Sequence, residues 1–321
     1  MKEKLDLKDK KILYELDKDS RQSFQQIGKK VRLSREVVQY RIKQLEIKGI
    51  IKSYQTIIDM TKLGYINCRL FIKFQKNTPH EETKIIDYYK KHPKFWWVDS
   101  VGGFRDLGLA CWTKNVYEFY EIKEDLLKRF GKYIDHLHIS FYIKIWIYGR
   151  NYLIDNKRKD IIEQSMCSAE KAEFDKKDLK ILKLLADNAR INIVEISSKT
   201  GISPTNINFR IKELIRKGII VRFKVLLDLE KIGFYWYKVE MQLENFEVKN
   251  EMLGYFRNHS NIVYAYETIS DNDLEFELEV ESYEKFREIL EEIRQRFGKD
   301  IKKYHYMLWF KEHKFLFMPE L

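Results

Sequence analysis

The stretch that determines the fold reads VRLSREVVQYRIKQLEIKGII and occupies residues 31–51. Ser34 is a good N-cap for a helix, and Gly49 stands where that helix would end. The apolar positions between them fall on one helical face and are Val38, Ile42 and Leu45. The opposite face is polar. A short turn followed by such a helix is typical of a helix-turn-helix.

The same pattern returns 169 positions later as TGISPTNINFRIKELIRKGII, residues 200–220. With that shift, residues 6–64 align without a gap with residues 175–233, and 22 of the 59 positions are identical. Further along the shift falls to 167, where residues 130–132 and 297–299 both read Phe-Gly-Lys. The chain is therefore one unit that occurs twice, and two long copies do not make a solenoid.

The residues around the stretch complete a small helical domain. Apolar residues at helical spacing in 9–16 predict a first helix, and a second short amphipathic stretch follows the polar corner at 19–21. After the third helix, residues 49–59 and 218–228 each read as a β-strand. This strand is either a connector or a wing.

Positive charge is concentrated in these helical segments. The chain has a formal net charge of +11, and the sum is +7 for residues 1–65 and +5 for residues 170–234. By contrast, residues 235–321 sum to −6. Two basic segments at matching positions indicate a polyanionic partner.

The rest of each unit alternates strands and helices in the order βαββαβ. In the first unit we predict strands near 67–75, 95–101, 107–112 and 138–148, with helices near 81–91 and 116–129. Such an antiparallel sheet has helices on one face, so its other apolar face must be covered. The sheet of the second unit is the expected cover.

The predicted fold class is α+β, a tandem repeat of a helix-turn-helix domain and a ferredoxin-like domain whose sheets pair as an internal pseudodimer. The predicted helix-turn-helix domains span 1–64 and 174–233, the ferredoxin-like domains span 65–148 and 234–321, and a linker spans 149–173.

Several classes of protein and site are not expected. No run approaches the ~18 consecutive apolar residues of a membrane span, and the charged start has no apolar core behind it, so we expect a cytoplasmic protein. Cys68, Cys111 and Cys167 lack a CxxC pair and predict reduced, buried thiols. His136 and His138 share a strand face, where a surface position is expected, and no carboxylate or thiol completes a metal site. No metal and no cofactor are predicted.

The outward face of the third helix carries the residues expected to contact double-stranded DNA. Arg, Gln and Asn side chains can form bidentate hydrogen bonds with purine edges in a major groove. The candidates are Ser34, Arg35, Glu36, Gln39, Tyr40 and Lys43 in the first copy, and Ser203, Thr205, Asn206, Asn208 and Lys212 in the second. Arg41 and Arg210 lie beside the buried stripe, where each either contacts a phosphate or pairs with an acid of its own domain.

A loop between the middle strands of the first sheet is a candidate effector site. Its glycines permit a tight turn with exposed backbone that can hold a small zwitterion, although a plain β-turn is the alternative. The candidate residues are Gly102, Gly103, Arg105 and Asp106. The second copy reads ISDND at 269–273 and keeps only the final acid, so no ligand is assigned there.

Four motifs carry a resemblance to a known family. They are Asp6-x-x-Asp9-x-x-Ile12-Leu13, the Leu33-Ser34 turn, Arg41-Ile42-x-x-Leu45-Glu46-x-x-Gly49, and Gly103-x-x-Asp106. These motifs resemble the Lrp/AsnC, or feast/famine, transcriptional regulators across nearly the whole of both units. The resemblance implies a DNA-binding helix-turn-helix and a βαββαβ (RAM-type) domain that pairs sheet to sheet into dimers. It also implies amino-acid effectors near the Gly-x-x-Asp loop.

Members of that family usually carry one unit per chain. Two units imply a chain that forms its own pseudodimer, and further homodimerisation stays open. The two recognition helices differ, since residues 35–39 read REVVQ and residues 204–208 read PTNIN. A fused pair escapes the symmetry of a homodimer, so we predict an operator with unequal half-sites.

Two other functions remain as alternatives to a non-enzymatic regulator. Siroheme decarboxylases are similar in architecture, but their pocket is expected to supply histidine and arginine around a tetrapyrrole. This sequence lacks the His-Asn-Tyr stretch after the second strand and reads WWVD at 96–99 and YAYE at 264–267, with only Arg105 nearby. The second alternative is an interaction module that has lost DNA binding, and the basic helical segments argue against it.

Overall fold

The computed structural model describes residues 3–154, 163–167 and 170–318. The first unit comprises α1 (Leu7–Lys18), α2 (Phe24–Val31), α3 (Arg35–Ile47), β1 (Ile51–Ile58), β2 (Ile66–Phe74), α4 (Pro79–Lys91), β3 (Phe95–Gly103), β4 (Leu107–Thr113), α5 (Val116–Phe130) and β5 (Ile134–Tyr148). A short strand, β6 (Glu163–Met166), follows. The second unit comprises α6 (Lys176–Asp187), α7 (Ile193–Thr200), α8 (Pro204–Arg216), β7 (Ile220–Leu227), β8 (Tyr235–Leu243), α9 (Lys249–Asn258), β9 (Ile262–Ile269), β10 (Leu274–Val280), α10 (Tyr283–Phe297) and β11 (Ile301–Phe315).

Local signals set the start of each recognition helix. The Ser34 hydroxyl accepts a hydrogen bond from the Val37 backbone N–H at 3.3 Å, and Pro204 occupies the first turn of α8. The corner before each helix is left-handed, with φ of 71° at Gly201 and 58° at Arg32. A left-handed backbone costs a non-glycine residue about 1 kcal/mol. The turn before α3 is therefore more strained than the turn before α8.

The strands that follow the helix-turn-helix domains are connectors rather than wings. β1 and β7 pair antiparallel, with Thr56 opposite Phe223, and form a ribbon between the two units. Each ribbon strand also accepts a backbone hydrogen bond from the other copy, from Ala189 to Tyr54 and from Ser20 to Phe223, both at 2.9 Å. Each helical domain is therefore held against the ribbon strand of the other copy.

The eight strands of the two ferredoxin-like domains form one closed barrel. Hydrogen bonding runs in the order β2-β4-β3-β11-β8-β10-β9-β5, and β5 also pairs with β2. The two sheets join where β3 meets β11 and where β5 meets β9. The expected sheet pairing is present, and it includes shared backbone hydrogen bonds at both edges. β6, which lies inside the predicted linker, pairs with the end of β5.

The barrel encloses charged as well as apolar side chains. Arg69 of β2 and Lys238 of β8, equivalent positions in the two copies, both pair with Glu275 of β10, at 2.5 and 2.8 Å. Glu277 and Glu279 of the same strand are also buried. Part of the negative charge of the last domain is therefore neutralised inside the barrel.

None of the helices in the described part of the chain is long and apolar enough to cross a membrane. The three cysteines are free and buried, as expected. No cluster of three or more potential metal ligands occurs among the described residues. The surface position expected for His138 is wrong, because this residue faces the barrel interior and is 4% exposed.

Candidate nucleic-acid interface

The polar faces of α3 and α8 are open to solvent. All six candidates of the first copy are exposed, as are all but one of the second. The exception is Asn206, which is partly buried and accepts a hydrogen bond from Arg210 Nε at 3.1 Å. The remaining face of each helix packs into its own domain through Val38, Ile42 and Leu45, and through Ile207, Ile211 and Leu214. Burial of one face thus leaves the other free to enter a groove.

The first turn of α3 carries an exposed carboxylate as well as a cation. The backbone N–H of Glu36 and the Ser34 hydroxyl lower the pKa of Glu36 below its ordinary value. The side chain is therefore ionised at neutral pH beside Arg35. Such a carboxylate can accept a hydrogen bond from the amino group of cytosine, whereas it repels phosphate.

Arg41 and Arg210 form ion pairs within their own domains. Arg41 contacts Asp6 and Asp9 at 2.7 and 2.8 Å, and Arg210 contacts Asp175 and Asp178 at 2.9 and 2.8 Å. The identical geometry ties the start of the first helix to the third helix in both copies. Of the two roles considered from the sequence, the internal ion pair is the one observed.

One exposed aromatic residue on the recognition face was not among the contacts predicted from the sequence. Phe209 of α8 is 63% exposed and occupies the position equivalent to Tyr40 of α3, which is 64% exposed. The alignment of the two copies at a shift of 169 residues places Phe209 opposite Tyr40, and this correspondence could have identified Phe209 as a candidate contact. An exposed ring on this face can contact the methyl group of thymine.

Two equivalent arginines fix the helical domains relative to each other. Arg21 donates to the carbonyl groups of Ala189 and Ile191 at 2.5 and 3.0 Å. Arg190 reciprocally donates to the carbonyl groups of Ser20 and Gln22. Their guanidinium groups also lie over ribbon rings, Arg21 over Phe223 and Arg190 over Tyr54, at 5.4 and 5.2 Å. The two recognition helices are thus carried by one interlocked pair of domains.

The acid of the candidate effector loop is engaged by the protein. Asp106 accepts hydrogen bonds from the Phe74 backbone N–H at 2.7 Å and from Lys73 Nζ at 2.8 Å. In the second copy Asp273 accepts from the Leu243 backbone N–H at 2.8 Å. The shared contact closes the loop onto the end of the first strand of each sheet.

The other loop residues point in different directions. Gly103 is exposed with φ of 126°, and a Cβ there would approach the Tyr306 carbonyl oxygen to 3.2 Å. Gly102 lies under the ring of Phe310. Arg105 turns into the barrel, where Nη2 lies 3.2 Å from Glu240 Oε2. The four candidates therefore do not converge on one open pocket in this structure.

Comparison with known proteins supports the same reading of both copies. An AsnC-type helix-turn-helix domain model matches residues 5–46, and a winged helix-turn-helix DNA-binding model matches residues 174–221. The HTH-type transcriptional regulator LrpC of Bacillus subtilis is 34% identical over 140 residues, which cover 43% of this chain and 92% of that protein. The HTH-type transcriptional regulator FL11 of Pyrococcus horikoshii is 27% identical over 141 residues, or 44% of this chain and 92% of that protein.

A solved structure matches the two-unit architecture over nearly its whole length. The siroheme decarboxylase NirDL aligns with 96% of this chain and 93% of its own, with a TM-score of 0.61 and 13% sequence identity. At that identity the likeness concerns the fold alone. Since LrpC matches one unit over nearly its full length and the unit occurs twice, this chain belongs to the Lrp/AsnC family of helix-turn-helix regulators, with two fused copies of the family's unit.

Proposed function

We propose that this protein is a DNA-binding transcriptional regulator whose α3 and α8 enter major grooves of one duplex. The observation that carries the proposal is the pair of equivalent helices, each with one face buried and the polar face exposed. The relatives named as transcriptional regulators support it. The expected contacts are the eleven candidate residues, with Phe209 added.

The proposed operator has two unequal half-sites. α3 offers Arg35 and Gln39, which suit guanine and adenine, whereas α8 offers Asn208 and the apolar ring of Phe209, which suit adenine and thymine. Selection of bound sequences from a random duplex pool, performed with the full chain, identifies the site. Recovery of a perfect palindrome bound equally well on both arms would contradict the proposal.

Single substitutions are expected to affect one half-site each. Gln39→Ala should weaken binding to the selected duplex about 5- to 150-fold and relax the base preference in one half-site, because one bidentate contact is worth about 1–3 kcal/mol. Asn208→Ala should do the same in the other half-site. Gel-shift titration against single-base variants measures both effects. Gln295→Ala, a matched change on the exposed face of α10, should leave affinity unchanged.

We further propose that a small amino-acid-like effector acts at Gly102, Gly103, Arg105 and Asp106. The exposed backbone at Gly103 supports this site, while Asp106 would have to exchange its contact with Lys73 for an effector amino group. Calorimetric titration with single amino acids tests this proposal. The matched variant is Gly103→Val, in which a side chain covers the exposed backbone.

A tetrapyrrole enzyme is the second candidate, favoured by the full-length fold match to NirDL. The stretches 96–99 and 264–267, which lack the histidine expected of a decarboxylase, carry Trp96, Trp97, Tyr264 and Tyr266, and these side chains supply no acid-base pair for proton transfer. An absorbance scan with added iron porphyrin separates the two functions. We expect no shift of the Soret band, and a saturable shift at one equivalent would favour the enzyme.

A further inference from the structure

A cavity lined by aromatic residues lies at the end of the barrel near the ribbon. It has a volume of about 60 Å³ and is walled by indole, phenol and phenyl rings. A larger cleft of about 750 Å³ between the ribbon and the barrel shares four of its residues, namely Trp236, Tyr264, Trp309 and Phe315. We refer to the cavity and this cleft together as the aromatic cleft.

Two buried indole N–H groups in this cleft lack an acceptor among the described residues. They belong to Trp96 and Trp309, each 7% exposed. Other indoles of the region are satisfied, since Trp112 donates to the Phe317 carbonyl at 2.9 Å and Trp236 donates to Glu277 at 3.1 Å. A buried donor without a partner costs about 1–3 kcal/mol. A ligand that brings an acceptor to Trp96 and Trp309 would recover that energy.

The polar groups on the cleft wall include both carboxylates and cations, which are Glu277 in the cavity and Asp228, Glu230, Glu312, Lys52, Lys231 and Lys311 in the larger cleft. Asp99 is 1% exposed, and its Oδ1 has no partner in the described part of the chain. Burial, and then the charge of Glu312 on the neighbouring strand, raise the pKa of Asp99 well above its ordinary value. Asp99 therefore keeps its proton to a higher pH than an exposed aspartic acid does. Lys311 is exposed on the same wall and forms no ion pair with the described residues, whereas Glu312 is paired with Lys52 at 3.2 Å.

The tyrosine rings of the cleft already carry cations. Lys238 Nζ lies 4.0 Å from the centre of the Tyr266 ring, and Lys224 Nζ lies 4.6 Å from that of Tyr264. A cationic ligand would meet these charges at close range. A ligand that lies on these rings and reaches the two indole N–H groups is therefore flat, apolar over its rings and carries a hydrogen-bond acceptor at one edge.

We propose that the aromatic cleft binds a planar aromatic carboxylate of one or two rings. The ring lies against Trp97 and Trp309, whose own rings meet edge to face at 4.9 Å, and the carboxylate accepts hydrogen bonds from the two unpartnered indoles. The small inner cavity admits only part of a ring, so the rest of the ligand lies in the larger cleft. This site is separate from the loop at 102–106.

The cleft adjoins the DNA-binding part of the molecule. Its second wall is formed by ribbon residues, including Gln55 of β1 and Leu227 of β7. Because the ribbon carries both helical domains, a ligand that contacts ribbon and barrel together biases their relative position. This coupling, unlike the binding itself, rests on the proposed regulatory function.

Binding is tested by calorimetric titration of the full chain without DNA. The probe is 2-naphthoate, compared with cyclohexanecarboxylate, which has the charge without the planar ring, and 2-naphthylmethylammonium, which has the ring with the opposite charge. We expect one 2-naphthoate per chain, bound at least about tenfold more tightly than either comparator. Absence of binding at millimolar 2-naphthoate, or equal binding of all three compounds, overturns the proposal.

Variants locate the site. Trp309→Phe keeps a ring and removes the N–H, and it should weaken 2-naphthoate binding about tenfold. Trp146→Phe makes the same change in a buried indole that does not line the cleft, and it should have no effect. Lys311→Gln, at an exposed position that leaves the fold intact, should weaken binding about threefold. Equal losses in both tryptophan variants, or no loss in Trp309→Phe and Lys311→Gln, would place the ligand elsewhere and refute the assignment.

The coupling has its own readout. Saturating 2-naphthoate should change the affinity for the selected duplex, and the duplex should change the affinity for 2-naphthoate by the same factor. If 2-naphthoate binds while DNA affinity stays constant, the ligand site stands and the coupling fails. If no duplex is bound at all, the regulatory function fails and the ligand site is judged on the titration alone.

Discussion

Replacing Asp17 by Asn is expected to lower the free energy of unfolding by about 3–5 kcal/mol, since it leaves buried cations without their counter-charge. Asp17, at the end of α1, is completely buried and contacts Arg150 at 2.7 Å and Arg222 at 3.1 Å. Arg150 is also held by Glu279 of β10 at 2.8 Å. The cluster joins the first helical domain, the ribbon and the barrel. Its loss should therefore loosen all three parts.

Urea denaturation of the Asp17→Asn variant, followed by tryptophan fluorescence and far-UV circular dichroism, measures the change. The control is Glu195→Ala, which removes an exposed carboxylate paired with Lys199 at 2.7 Å and should cost less than about 1 kcal/mol. The second copy has the apolar Ala186 at the position equivalent to Asp17, so the anchoring is expected in one copy only. Equal stability of the two variants would contradict the role of the cluster.

The same carboxylate predicts an acid-sensitive stability. Burial by itself raises the pKa of Asp17, but the charges of Lys224, Arg222 and Arg150 bring the net value down to about 2, below the ordinary 3.8. A depressed pKa contributes stability that is complete above the pKa of the unfolded chain and is lost as pH falls towards the folded value. The difference in stability between wild type and Asp17→Asn should therefore shrink between about pH 4 and pH 2.

Raising the salt concentration from about 50 to about 200 mM is expected to weaken binding to random duplex DNA by about a thousandfold or more. Both helical segments are basic, with sums of +7 and +5, and both recognition faces are exposed. Phosphate contacts from the two copies release counterions together, so the logarithm of affinity should fall steeply with the logarithm of salt. Fluorescence anisotropy with a labelled random duplex measures the slope.

Removing one cation from each recognition helix should reduce that slope. The double variant Lys43→Gln/Lys212→Gln is expected to lower its magnitude by about 2, or less if either lysine contacts no phosphate. Lys128→Gln, on the exposed face of α5, is the matched control and should leave the slope unchanged. A flat response of the wild type would favour an interaction module or an enzyme over a regulator.

The helix-turn-helix copies were predictable because their signals are local. A serine cap, a left-handed corner, a stripe of three apolar residues and a terminal glycine lie within about five helical turns, so one window of sequence contains the whole motif. The repeat then doubled each signal. For the same reason Arg41 and Arg210 were open to two readings, since the acids that hold them lie 35 residues away in sequence, at Asp6 and Asp175.

The barrel interior shows what a local pattern misses. β10 reads LEFELEV, which alternates like a strand with one face in water, yet every residue in it is buried. Glu275, Glu277 and Glu279 point towards cations that come from other strands and from the other copy. The equivalent positions of β4 carry Gly108, Ala110 and Trp112. The row of buried carboxylates therefore occurs in the second copy only. No window around β10 contains its partners.

By itself the sequence determined the repeated unit, its helix-turn-helix and βαββαβ order, the exposed recognition faces and the family, because these depend on caps, periodicity and spacing within each copy. Only the tertiary structure decided that the connecting strands pair as a ribbon, that the two sheets close into one barrel, that Arg105 turns inwards, and that unpartnered indoles line a cleft beside the ribbon. These features arise where residues of the two copies meet. Contacts at such long separation follow from packing and charge neutralisation across the whole molecule, which no single stretch encodes.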